Sequence, residues 1–183
     1  MNLIKTTLDG LVLLKPIIIK DRRGYFMESY HKKNTNNLIG NVKFVQENES
    51  ESSRGVFRGL HFQKPPFAQA KLVRCLKGGI LDVALDLRKD SKTYGQFETT
   101  LLTDENKNQL FIPKGFAHGF IVLSESAIMS YKVDEYYKPM YESGIIWDDR
   151  DLNIDWKINK KEIIVSKKDA KLQSFNNFVS PFL

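Results

Sequence analysis

Apolar positions along this chain come in short runs separated by turn residues, with no stretch long enough to form an extended amphipathic helix. Between Leu8 and Ile19 the runs Leu11-Val12-Leu13-Leu14 and Ile17-Ile18-Ile19 flank Pro16, which predicts strand pieces with an edge or bulge at the proline. Asp21-Arg22-Arg23-Gly24 is a turn, Tyr25–Tyr30 resumes an extended pattern, and the Asn-rich segment Lys32–Gly40 reads as a loop or a short helix. Val42–Asn48 alternates as a half-buried strand does, and the Ser/Glu-rich segment Glu49–Arg54 is expected to be a loop. Gly55–Gln63 follows, and Lys64-Pro65-Pro66 then forbids helix. Further strands are expected at Ala70–Leu76, Ile80–Leu87 with alternating carboxylates at Asp82 and Asp86, Phe97–Leu102, Gln109–Ile112, Gly119–Leu123 and Ala127–Val133. The tail from Lys160 to Phe175 has room for one or two short helices, with Ser166 placed to cap a turn near Lys167. Many short strands at roughly ten-residue spacing predict an all-β sandwich or barrel, and a jelly roll is the favoured architecture.

Composition narrows the class without naming a function. With 183 residues, 42% of them hydrophobic and 27% charged, the chain fits one domain spanning residues 1–183. The single Cys75 cannot form an intrachain disulfide and sits in a strand-like setting, so a buried thiol in a reduced, cytoplasmic protein is expected. Neither a signal-peptide core nor a membrane-length apolar run is present in the sequence. A net charge of +6 suits an anionic partner, but much of the excess lies in a lysine-rich C-terminal segment that reads as solvated surface. No zinc-finger, RNP or basic-heptad pattern accompanies it, which argues against nucleic acid.

Candidate chemistry centres on Gly55-Val56-Phe57-Arg58-Gly59-Leu60-His61-Phe62-Gln63. Arg58 and His61 are an odd number of residues apart, so on a regular strand they point to opposite faces; a bulge at Gly59 is what would bring both to one pocket. Read alone, His61 fits a proton-transfer group and a histidine satisfied by a neighbour equally well. His31, beside Lys32-Lys33, reads as surface, while His118 follows Pro113 and Gly115 in a turn able to aim an imidazole into a barrel mouth. The Pro-x-Gly-x-x-His spacing resembles the second motif of the cupin superfamily, whose metal-binding members carry His-x-His in the first motif. Here that place holds His61-Phe62-Gln63, so the second ligand is missing and no metal is expected.

A narrower resemblance covers nearly the whole chain, from about Leu13 to Asp169. The opening stretch, Ala68-Gln69-Ala70-Lys71-Leu72-Val73-Arg74, Asp82–Arg88, Ser91-x-Thr93-Tyr94-Gly95, Gln109–Phe120 and Tyr131-Lys132 through Tyr137-x-Pro139 together closely resemble the dTDP-4-dehydrorhamnose 3,5-epimerase (RmlC-like) family of sugar-nucleotide epimerases. The resemblance implies a cupin jelly roll that inverts C3, C5 or both in a nucleotide-linked 4-keto-6-deoxy sugar, without metal or redox cofactor, in deoxysugar biosynthesis for surface polysaccharide. It implies His61 as base, Tyr131 as acid on the opposite face, Asp169 as the carboxylate orienting the histidine, and Lys71 as the charge that steadies the enolate oxygen. For the nucleotide half it nominates Arg23, Glu28, Gln46, Asn48, Arg58, His118 and Glu142, with Tyr137 stacking on the base; the arginines suit a diphosphate. Taken without it, Tyr131 is a core aromatic, Lys71 a solvated strand lysine, and the arginines surface ion-pair partners. It further implies a homodimer with an exchanged N-terminal strand. Two departures, Trp147-Asp148-Asp149-Arg150 in place of Asn-Asp-Pro after Trp and Phe62 in place of Tyr, leave open dTDP or GDP and hexose or heptose. A ketoisomerase of the same fold and a catalytically inactive sugar-binding cupin remain the competing readings.

Overall fold

The computed structural model describes residues 1–183. Thirteen strands occur in chain order: β1 (Asn2–Lys5), β2 (Val12–Lys15), β3 (Ile19–Asp21), β4 (Gly24–Phe26), β5 (Gln46–Ser53), β6 (Phe57–Gln63), β7 (Lys71–Lys77), β8 (Gly79–Asp86), β9 (Phe97–Thr103), β10 (Gln109–Ile112), β11 (Phe116–Val122), β12 (Ser126–Val133) and β13 (Glu142–Gly144). They form a six-stranded sheet β1-β2-β10-β7-β12-β5 packed on a five-stranded sheet β13-β6-β11-β8-β9, with β3 and β4 as a separate hairpin. This is the jelly-roll sandwich the strand spacing predicts.

Three apolar layers hold it together. Between the sheets lie Val73, Cys75, Ile80, Leu102, Phe116, Phe120 and Met129, all buried. Outside the five-stranded sheet, Phe57, Leu81, Val83 and Ile121 are covered by the tail through Leu152, Ile154, Trp156 and Phe182. β8 is thus buried on both faces, which explains its nearly continuous apolar run. Phe57 meets Trp156 edge-on at 4.8 Å between ring centroids, a contact worth ~0.5–1.5 kcal/mol beyond area burial. Outside the six-stranded sheet, Leu14, Leu72 and Phe111 are covered by Tyr30, Leu38, Ile39 and Phe44.

That third layer uses the one α-helix, α1 (Lys32–Ile39), so the Asn-rich segment takes the helical option. His31 is exposed, as expected, but its Nδ1 accepts the Asn34 N–H at 3.3 Å and caps the helix. Several other expectations need correction. The strand placed at Val42–Asn48 begins only at Gln46 and runs through the segment expected to be a loop. It pairs with β12 across its whole length, and its inward positions are polar, Gln46, Asn48 and Ser50 lining a polar cavity and Ser52 buried against Arg58, so no apolar alternation marks it. His118 lies inside β11 rather than in a turn, because the turn ends at Gly115 (φ +89°) and the ladder resumes at Phe116. The tail helices are single 3₁₀ turns, Lys160–Glu162 and Asp169–Lys171. Ser166 does cap there, its Oγ accepting the Asp169 N–H at 3.0 Å.

No helix is long and apolar enough to cross a membrane. Cys75 is buried, and burial pushes its thiol up to about 11.

Candidate active site

Where the β5–β12 edge of one sheet faces the β13–β6 edge of the other, the interior is polar and opens into a cavity of about 510 Å³, with an adjoining lobe of about 280 Å³. Arg58, His61, Lys71, His118, Tyr131 and Asp169 line the main cavity, and Gln46, Asn48, Tyr137 and Glu142 line the lobe. His61, Lys71 and Tyr131 border both.

Arg58 and His61 reach one cavity because β6 carries an extra residue against β11. His118 pairs with His61 and Phe120 with Arg58, so three steps on β6 match two on β11. Gly59 permits this: at φ +134°, a Cβ there would come within 2.4 Å of the Gly119 Cα. Lys71 and Tyr131 point inward by ordinary alternation, sharing the faces of Val73 and Met129.

Asp169 arrives from the capped turn in the tail and places Oδ1 2.7 Å from His61 Nε2. Burial works to raise its pKa, but the His61 hydrogen bond and charge, with the Gly59 N–H and Ser166, outweigh this and hold it below the usual carboxylate value. An ionised carboxylate only accepts, so Nε2 carries the proton and Nδ1 is left with a free lone pair. Glu142 Oε1 is 4.0 Å from that Nδ1. Burial pushes Glu142 up, and its bonds to Lys168 and to the Tyr137 hydroxyl, 2.6 Å away, bring it below its ordinary value.

Burial drives Lys71 down to about 8, against the pull of Asp82 and Glu142. Tyr131, facing Asn48 across the β5–β12 pair, is pushed up by burial, while Asn48 and Arg58 pull the other way. The phenol therefore stays protonated near neutral pH. Gln46 donates to Asn48 Oδ1 at 2.9 Å, and Arg58 Nε donates to Ser52 Oγ at 3.1 Å, leaving its terminal nitrogens free of protein acceptors.

Ten of the twelve nominated residues thus converge on the cavity and its lobe. Arg23 and Glu28 do not. Arg23 is 84% exposed and clasps Asp21 on the β3–β4 hairpin, while Glu28 is exposed and accepts from Asn34 Nδ2 at 3.0 Å. The hairpin stands away from the chain's own barrel, with Ile17, Ile19, Tyr25 and Phe26 exposed. His118 is only 6% exposed, with Nε2 2.8 Å from Asp82 Oδ2. Four contributors escaped the reading of candidate residues: Asp82, Ser52, Lys168 and Gln63, whose Oε1 accepts the Lys138 N–H at 2.6 Å. Two left a trace, Asp82 as a carboxylate in an apolar strand and Gln63 as the last residue of the Gly55–Gln63 stretch.

A base with an orienting carboxylate, a protonated phenol and an ammonium around one cavity can remove a proton next to a carbonyl and return it elsewhere. The family model described as dTDP-4-dehydrorhamnose 3,5-epimerase matches residues 5–177. The dTDP-4-dehydrorhamnose 3,5-epimerase of Methanothermobacter thermautotrophicus is 51% identical over 167 residues, covering 91% of this chain and 90% of that protein. The crystal structure of the Elizabethkingia anophelis dTDP-4-dehydrorhamnose 3,5-epimerase superposes with a TM-score of 0.92 at 47% identity, over 97% of each chain. That of dTDP-6-deoxy-D-glucose-3,5-epimerase RmlC from Legionella pneumophila, in complex with dTDP-4-keto-L-rhamnose, gives 0.93 at 44% identity, over 97% of this chain and 94% of that one. With its family model matched across almost its full length and a relative 51% identical over 91% of it, the chain belongs to the dTDP-4-dehydrorhamnose 3,5-epimerase family.

Proposed function

We propose that this chain, acting as one domain, is an isomerase that inverts C3 and C5 of a dTDP-linked 4-keto-6-deoxyhexose, supplying a deoxysugar nucleotide for surface polysaccharide. His61 Nδ1 takes the proton from the carbon next to the ketone, and the C–H electron pair moves into the enolate. Lys71, mostly charged below pH 8, faces the negative oxygen. Tyr131 then gives its proton to the opposite face of the same carbon and recovers one from solvent, while His61 releases the one it took. Atoms and charge balance without an oxidant. Asp169 keeps the histidine in the tautomer that leaves Nδ1 basic and stabilises the imidazolium that forms. C3 and C5 both flank the C4 ketone, so one constellation serves both after the ring shifts.

The observation that carries this reading is the His61–Asp169 pair, 2.7 Å apart, on the cavity that Tyr131 and Lys71 also line. Arg58, with free terminal nitrogens at the cavity, suits the diphosphate, and Gln46, Asn48, Tyr137 and Glu142 suit the nucleotide end. The proposal extends to a cytoplasmic homodimer in which the N-terminal segment of a second copy supplies Arg23 and Glu28. Its support is the exposure of Ile17, Ile19, Tyr25 and Phe26 at the hairpin and the position of both residues outside the lining of their own chain's cavity. Incubation with dTDP-4-keto-6-deoxyglucose in D₂O, followed by NMR, tests the reaction: deuterium at C3 and C5 with inverted configuration is expected, and exchange at neither carbon refutes it.

A further inference from the structure

The mechanism gives no task to Gln63, the last residue of β6, although it is only 3% exposed and borders the lobe. Its amide is fully used. Nε2 donates to the Phe67 carbonyl at 2.7 Å and to the Tyr136 carbonyl at 3.2 Å, and Oε1 accepts the Lys138 N–H at 2.6 Å. A buried amide that directs both donors and its acceptor to the backbone of other segments is a cross-link between them.

What it links is the segment that carries Tyr137. β12 ends at Val133, and residues 135–137 make no backbone–backbone hydrogen bond before the 3₁₀ turn at Pro139–Tyr141. Three glutamine side chains take the place of a ladder. Gln69 Nε2 donates to the Glu135 carbonyl at 2.8 Å, Gln46 Oε1 accepts the Tyr137 N–H at 3.2 Å, and Gln63 holds the groups on either side of Tyr137. Beyond that point the chain is anchored independently: the Lys64 N–H donates to the Tyr141 carbonyl at 2.9 Å, and Phe67 meets Tyr141 edge-on at 4.6 Å between centroids. Tyr137 itself borders the lobe, with its hydroxyl 2.6 Å from Glu142 Oε2.

We infer that Gln63 is a positioning residue for substrate binding: it clamps the main chain of Tyr136 and Lys138 to the end of β6 and so fixes the Tyr137 ring at the wall of the lobe. This rests on the reading of Tyr137 as part of the nucleotide end, yet the clamp is a property of the free protein. Without the amide, the main chain of residues 136–138 keeps one bond to the barrel, from the Tyr137 N–H to Gln46. The ring then loses its fixed place, and part of the binding energy of a base stacked on it goes to ordering the segment.

Two measurements on the full chain test it. In the free protein, Gln63→Met, of similar volume but without N–H donors, is expected to speed amide hydrogen exchange in the peptide spanning 134–141 about five- to tenfold, with peptides from β8 and β11 unchanged. Titrated with dTDP, the same variant is expected to bind about three- to tenfold more weakly, and with dTDP-4-keto-6-deoxyglucose KM is expected to rise more than kcat falls. In a Tyr137→Ala background the Gln63 substitution is expected to add less than about twofold to the loss of dTDP affinity, because it acts through a ring no longer there. Gln63→Glu, which keeps the length and loses both donors, makes the same test should the methionine variant not fold. Unchanged exchange over 134–141 overturns the inference, as does faster exchange spread equally over β8 and β11, the mark of a general loss of stability. A fully additive loss of affinity in the double variant overturns it as well. A Tyr137→Ala chain that binds dTDP as tightly as the wild type refutes the nucleotide reading of Tyr137, and the exchange measurement, made without ligand, then decides the clamp by itself.

Discussion

His61 Nε2 and Asp169 Oδ1 lie 2.7 Å apart although 108 residues separate them in the chain. The strand carrying His61 and the tail turn carrying Asp169 meet because the tail covers the outer face of the five-stranded sheet. Asp169→Asn preserves shape but removes the acceptor-only group that fixes the histidine tautomer. A loss of about 10²–10⁴-fold in kcat is expected with KM little changed; steady-state kinetics checks it, and a selective rise in KM contradicts the assigned role.

On the proposed mechanism, Tyr131→Phe removes the acid on the far face and leaves the base intact. Deuterium is expected to enter the substrate in D₂O with retained configuration, while inversion drops by about 10²–10⁴-fold. NMR of the recovered sugar nucleotide separates the two, and inversion at the wild-type rate rules out Tyr131 as the acid.

On the proposed mechanism, the pH behaviour follows from Lys71. Its pKa of about 8 predicts that kcat falls above that pH as the ammonium is lost. Lys71→Arg is expected to move this limb beyond the accessible range, at a lower plateau. Stability moves the other way: the unfolded lysine binds its proton up to ~10.4 while the folded one releases it near 8, so ΔG of unfolding rises with pH between those values. Asp169, held below its ordinary value, contributes stability that is present above the unfolded carboxylate range and lost as pH falls through its folded pKa. Urea titrations across pH check both signs.

Gly59→Ala places a Cβ 2.4 Å from the Gly119 Cα and 2.8 Å from the His118 carbonyl oxygen, at φ +134°. Both contacts are backbone and cannot swing aside, so a destabilisation of about 2–4 kcal/mol is expected by thermal melting. Gly24→Ala, where nothing lies within 4 Å, isolates the cost of φ +124° alone, about 1–2 kcal/mol.

Subunit complementation examines the dimer. If Arg23 of one copy serves the cavity of the other, co-expressed His61→Ala and Arg23→Ala chains regain about a quarter of wild-type sites through mixed dimers. Activity no higher than that of the Arg23→Ala chain alone places Arg23 in its own subunit.

The sequence by itself determined the run of short apolar strands from β7 to β12, the Gly59 break that sets Arg58 and His61 on one face, and the Ser166 cap, because each is written in residues close along the chain. Alternation reports which side chains share a face only where that face is apolar. β5 turns Gln46, Asn48 and Ser50 toward a polar cavity, and its sequence therefore resembles a loop. The Asp169–His61 pairing, which only the family resemblance implied, is made by tertiary structure, and tertiary structure alone decided that Asp82 keeps an unpartnered oxygen beside His118 and that Arg23 and Glu28 lie off the lining of their own chain's cavity. Those relationships depend on how two sheets and a covering tail pack together, and local periodicity carries no information about distances across a barrel.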